Sequence, residues 1–145
     1  ARNLDALGAF RLNPRVLVDV TRRSQATALW GRTYGSPFGI SPTGPAPLYR
    51  RGADTMLARA AKDADIPFVL SGTSGASLES MHATAPEHAW YQLYGALDRS
   101  LTDRIVGRAA DAGFPVLVVT ADTPITPKRE RHLRSGATVP PPDMV

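Results

Sequence analysis

Short apolar runs recur along this chain at intervals of roughly 20–30 residues, the spacing of successive βα units. They begin near positions 37, 67, 89 and 115, and helix-like stretches separate them. Phe38-Gly39-Ile40 leads into Ser41-Pro42-Thr43-Gly44, and Phe68-Val69-Leu70 into Ser71-Gly72-Thr73-Ser74. Ala89-Trp90-Tyr91-Gln92-Leu93-Tyr94 is the third run. The fourth, Val116 to Val119, lies between Pro115 and the polar residues Thr120, Asp122 and Thr123. A run apolar on both faces predicts a fully buried parallel strand. Between the runs, a helix is expected over 53–64 with Met56, Leu57, Ala60, Ala61 and Ala64 on one stripe. A short helix capped by Ser77 turns Leu78 and Met81 inward and stops at Pro86. A third helix spans 100–113, capped by Ser100 or Thr102 and ended by Gly113. Its buried face is expected to be Leu101, Ile105, Val106, Ala109 and Ala112.

Strands alternating with helices specify an α/β fold with a parallel sheet. The spacing matches a (β/α)8 TIM barrel, in which about 250 residues serve eight units. The chain has 145 residues, enough for about the first four units, and half a barrel leaves sheet edges that need covering. A partner chain or the rest of a longer protein would cover them. A flavodoxin-like doubly wound sheet is the alternative, although the first βα turn has neither Gly-x-Gly-x-x-Gly nor Gly-x4-Gly-Lys-Ser/Thr. Ahead of the repeats, Arg2 to Phe10 reads as a short helix. Arg15 to Val20 and Thr27 to Trp30 read as an amino-terminal strand pair, with Gly31 to Gly35 as the exit turn. From about 125 to 145 the chain is basic, then proline-rich, and reads as a mobile loop leaving the fourth strand.

Several function classes drop out. The sequence has no cysteine, so thiolate metal sites and disulfides are excluded. His82, His88 and His132 lack metal-ligand spacing, and no metal is expected. No Gly-x-Ser-x-Gly element or carboxylate pair suits hydrolysis. No apolar run reaches the ~18–20 residues of a membrane span. Net charge is +4, but the one dense basic cluster, Lys128, Arg129, Arg131 and Arg134, has no interleaved aromatics. That argues against nucleic acid and leaves an anionic small-molecule site or a solvated loop.

Ligands of parallel βα sheets sit at the carboxyl ends of the strands. Here those ends carry Thr43, Ser71, Gln92 with Tyr94, and Thr120 with Asp122. Gln92 and Tyr94, two apart, share one face. Neutral donors and acceptors of this kind suit a heteroaromatic ring rich in carbonyls and ring nitrogens.

An ordered set of stretches carries a resemblance: Pro14 to Val20, Ile40 to Thr43, Leu70-Ser71 with Ser77 to Glu79, Trp90 to Tyr94 with Asp98-Arg99, Arg108 to Gly113, Thr120 to Pro124, and Arg129-Glu130. Together they resemble the amino-terminal half of the FMN-dependent L-2-hydroxy acid oxidase/dehydrogenase family, which includes glycolate oxidase and lactate and mandelate dehydrogenases. The resemblance spans nearly the whole chain. It implies a (β/α)8 barrel holding FMN at its carboxyl-terminal mouth. By motif, Pro42, Thr43 and Gly44 would line the flavin, and Ser71, Gln92 and Thr120 would hydrogen-bond its ring. Tyr94 would bind substrate, with Asp122 tuning its surroundings, and Arg129 would hold the substrate carboxylate. The family more often has alanine at Gly44, and glycolate oxidase types carry tryptophan at Thr73, so the pocket here is expected to differ. The histidine base belongs to the second half of the family pattern, so this chain alone is expected to be inactive. The resemblance further implies a 2-hydroxy acid substrate, a carboxyl-terminal half as partner, a homo-oligomer, and a cytoplasmic protein with peripheral contact to the inner face of the membrane.

Overall fold

The computed structural model describes residues 2–122 and 130–136. It begins with helix α1 (Arg2–Gly8), then an antiparallel hairpin of β1 (Thr27–Leu29) and β2 (Arg32–Tyr34). A single 3-10 turn, Ala46–Leu48, precedes α2 (Ala53–Asp63). Then come β3 (Phe68–Leu70), α3 (Leu78–Thr84), β4 (Ala89–Tyr94), α4 (Arg99–Asp111), β5 (Leu117–Thr120) and α5 (Glu130–Ser135).

β3, β4 and β5 form a parallel sheet in that order. Ile40 extends it on the β3 side by one parallel bridge to Phe68, with Ile40 N–H donating to Pro67 O and Val69 N–H to Ile40 O. The expected first strand is therefore a bridge rather than a ladder. Gly39 allows the approach, because a Cβ there would lie 2.7 Å from Pro67 O. Each successive strand adds beside the last, without the reversal that marks a doubly wound sheet.

One face of the sheet is packed by helices. Phe68, Leu70, Ala89, Tyr91 and Leu93 meet Ala58, Ala61, Leu78, Met81 and Ala109 in one core cluster. Burying Phe68 or Leu70 in full is worth about 1.5–3 kcal/mol each by area transfer. Ser77 caps α3 by accepting from Ser80 N–H, as expected. Gly113 ends α4 at φ +91°.

Five local expectations change. The buried stripe of α2 is Asp54, Ala58 and Ala61 with Leu57 alongside, whereas Met56, Ala60 and Ala64 face outward. The cap of α4 is Asp98, which accepts from Ser100 N–H; Thr102 instead accepts from Ala96 N–H, and Leu101 stays largely exposed. Arg15 to Val20 is exposed and irregular, with Leu17 at φ +61°, so the amino-terminal strand pair is the β1–β2 hairpin alone. β5 is an edge strand, not a doubly buried one. Leu117 and Val119 point to the helix side yet are 39% and 61% exposed, because no described helix covers them. Finally, the expected loop over 125–145 contains α5, and the rest of it lies outside the described residues.

Candidate functional site

The face of the sheet that no described helix covers carries two unlike clusters, one at each end. Alternation along β4 puts Trp90, Gln92 and Tyr94 on this face, and register aligns Gln92 with Val118 and Tyr94 with Thr120.

At the carboxyl ends, Gln92 is the centre. It is 1% exposed. Its Oε1 accepts from Gly72 N–H at 2.8 Å and from Ser71 Oγ at 3.5 Å, and its Nε2 donates to Thr120 Oγ1 at 2.8 Å. One amide thus ties three consecutive strand ends together. It also fixes which way the amide points, since the oxygen must face the Gly72 N–H. Ser71 is buried, lies 3.0 Å from Thr73 Oγ1, and accepts from Thr73 N–H at 3.2 Å.

Two glycines let this packing happen. A Cβ on Gly72 would lie 2.6 Å from Gln92 O and 3.4 Å from the Tyr94 ring. A Cβ on Gly44 would overlap Thr73 Oγ1 and sit 2.9 Å from Ser71 Oγ. The Pro42-Thr43-Gly44 loop therefore folds directly against the Ser71 turn. Tyr94 is 45% exposed beside this group, a phenol at the mouth of the cluster rather than in its floor.

Of the residues singled out by sequence, Gly44, Ser71, Gln92, Tyr94 and Thr120 come together. Pro42 and Thr43 belong to the loop that Gly44 seats. Asp122 is exposed two residues beyond β5. Arg129 lies outside the described residues. Sequence reasoning missed Gly72 as part of the cluster and treated it as a turn residue, and it linked Thr73 to the pocket only through the resemblance. The usable signal was a glycine directly after a buried strand end, which marks close backbone approach.

At the amino ends the chemistry is ionic and aromatic. Arg32 Nη2 donates to Asp65 Oδ1 at 3.0 Å, and Arg32 Nη1 pairs with Glu87. His88 Nε2 lies 3.0 Å from Asp65 Oδ1 and 2.9 Å from Arg32 Nη2. Hydrogen bonds from Arg32 and His88 hold the Asp65 carboxyl below the usual range. Above them, Trp90 packs edge-on against Trp30 at 5.0 Å and Tyr34 at 6.0 Å, and Trp90 Nε1 donates to Tyr34 Oη. An open cleft of about 660 Å³ lies at this end, lined by Trp30, Arg32, Tyr34, His82 and Glu87 among others. A hollow of about 160 Å³ beside Ser71, Gly72 and Ser74 is smaller. Size notwithstanding, the convergent neutral donors and acceptors are at the Gln92 end, where parallel βα sheets place their chemistry.

Residues 1–144 match the family described as FMN-dependent dehydrogenase. An L-lactate dehydrogenase of Caulobacter sp. strain K31 is 38% identical over 140 residues, 97% of this chain and 37% of that protein. An (S)-mandelate dehydrogenase of Pseudomonas putida is 37% identical over 139 residues, 95% of this chain and 35% of that protein. Among solved structures, an active chimera of (S)-mandelate dehydrogenase superposes with a TM-score of 0.88 at 36% identity, covering 96% of this chain and 39% of that one. A mandelate oxidase superposes with a TM-score of 0.87 at 33% identity, covering 95% and 41%. This chain thus spans well under half the length of these relatives.

Proposed function

The chain belongs to the FMN-dependent dehydrogenase family, and from that premise we propose that it is the amino-terminal part of a flavin-binding (β/α)8 barrel oxidising an L-2-hydroxy acid to the 2-oxo acid. The observation that carries this reading is the Gln92 bridge across the carboxyl ends of β3, β4 and β5. The unreversed order of β3, β4 and β5 supports a barrel wall.

The residues fit FMN. The cluster is neutral, and the amide of Gln92 has a second Nε2 hydrogen beyond the one given to Thr120. Ser71 and Thr120 add hydroxyls that can donate or accept. Pro42, Thr43 and Gly44 would line the ring, and the missing Cβ at Gly44 keeps that loop close to Ser71. When bound, FMN supplies the two-electron acceptor.

This chain's own residues position and bind. Gln92, almost fully buried, holds its donors in a fixed direction and pays no reorganisation on ligand binding. Tyr94, on the same face and exposed, offers a phenolic O–H to the substrate's carboxylate or hydroxyl. Asp122 would bias that phenol from beyond β5. Arg129 would grip the substrate carboxylate in a bidentate manner. By the family resemblance the proton-accepting histidine would belong to the carboxyl-terminal half; in this chain His82 packs on Phe114 and His88 sits in the ionic network at the far end. That half would also cover the exposed flank of β5.

The test uses the full natural polypeptide. It is expected to purify with a flavin spectrum that bleaches anaerobically with lactate, glycolate or mandelate. A colourless protein that refuses added FMN would refute the reading.

A further inference from the structure

Asp54 is the most deeply buried carboxylate among the described residues, yet it touches none of the groups just discussed. It lies in the first turn of α2 and is 4% exposed. A carboxylate so enclosed needs strong partners. Its position near a helix amino terminus is favourable for negative charge, and its Oδ2 accepts from Ser74 Oγ at 2.5 Å, the length of a charge-assisted bond. Ser74 is in turn bound into the strand-to-helix turn. Its N–H donates to Ser71 O at 3.0 Å, and its Oγ accepts from Ala76 N–H at 3.0 Å. The same turn supplies Gly72 N–H and Ser71 Oγ to Gln92 Oε1.

We propose that Asp54 is a positioning residue: through Ser74 it locks the 71–74 turn, and so fixes the orientation of the Gln92 amide. The logic is one of alternatives. Without an anchor, a turn containing Gly72 and Gly75 has many conformations, and few of them aim Gly72 N–H at Gln92. With that donor lost, the amide can rotate, exchanging oxygen for nitrogen at Thr120 and reversing the donor pattern shown to a ligand. Ser74 is suited to the link because its single hydroxyl hydrogen goes to Asp54 while its lone pairs take the Ala76 N–H. Asp54 reaches from a rigid helix, which is the support a binding constellation needs.

This inference rests on the flavin reading for its consequence, but not for its geometry. The experiment therefore reads both in the full natural polypeptide, with Asp54→Asn, Asp54→Ala, Ser74→Ala and the Asp54→Ala/Ser74→Ala double variant. Hydrogen exchange of the peptide covering 71–78 is measured without flavin, and FMN affinity and absorption spectrum with it. Asp54→Ala and Ser74→Ala are each expected to speed exchange at Gly72 at least tenfold and to weaken FMN binding about tenfold, with a shifted flavin band. The double variant is expected to be no worse than either single one. Asp54→Asn, which still offers an oxygen to Ser74, is expected to recover most of the protection. Unchanged exchange at Gly72 in Asp54→Ala, or additive losses in the double variant, would overturn the proposal. Altered exchange in a protein that binds no FMN would instead sustain the strut and refute the flavin reading.

Discussion

The two ends of the same sheet differ in kind. At the amino ends of β3 and β4, Arg32, Asp65, Glu87 and His88 join a half-buried hairpin to the sheet through charge. At the carboxyl ends, Ser71, Gln92 and Thr120 link strands through neutral hydrogen bonds. Charge pairs tolerate the half-exposed surroundings of the hairpin and contribute little there. Neutral groups can be buried almost completely without a large desolvation cost, provided all are bonded. On the proposed reading the upper end would be preorganised for a ligand, while the lower end joins hairpin to sheet at little gain in stability.

Substitutions can break or sharpen that contrast. The largest expected effect is shared by both ends: Phe68→Ala, in the common core, should cost about 3–5 kcal/mol in denaturant unfolding and should weaken flavin retention with it. Next, Tyr94→Phe should lower kcat by roughly tenfold or more while FMN affinity stays within a factor of about two, as for a group that contacts substrate. Equal losses of both would place Tyr94 in the flavin floor. Arg32→Met should lower stability by about 1 kcal/mol or less and leave the flavin spectrum unchanged, since it acts only at the lower end. A spectral change would show that the two ends are coupled.

The smallest effect is a pH effect at the ion pair between α3 and α4. The Arg108 guanidinium grips the Glu79 carboxylate in a bidentate manner and holds its pKa at about 2 instead of 4.5. A depressed carboxylate contributes stability above its unfolded pKa and loses it as pH falls through the folded value. Glu79→Gln should therefore be less stable than the parent near neutral pH. The gap should close as pH falls from 4.5 to about 2. A gap that is constant with pH would mean that the ion pair is screened out.

Much of the upper end was legible in the sequence because strand alternation is strict. Once β4 was placed, Gln92 and Tyr94 had to share a face, and each neighbouring strand had to end in Ser71 or Thr120. The α3 cap was legible for a similar reason, a serine directly before Leu78 with Met81 one turn on. The α2 face was not. An alanine-rich helix gives a weak apolar stripe, and its inward position at Asp54 looks polar until Ser74 is seen across from it. The run Val116 to Val119 read as doubly buried because of its apolar content, whereas nothing described covers its helix side. The hairpin at the lower end was only partly legible, because Arg32 meets Asp65, Glu87 and His88 at sequence separations no local pattern encodes.

Titrating FMN into the apo form of the full natural polypeptide, parent against Gln92→Leu, tests the central claim most directly. Leucine matches the bulk of glutamine but leaves Gly72 N–H and Thr120 Oγ1 without their partner. The account predicts at least tenfold weaker binding and a displaced flavin band, at an unfolding midpoint that still permits a folded apo protein. Binding and spectrum identical to the parent would contradict it.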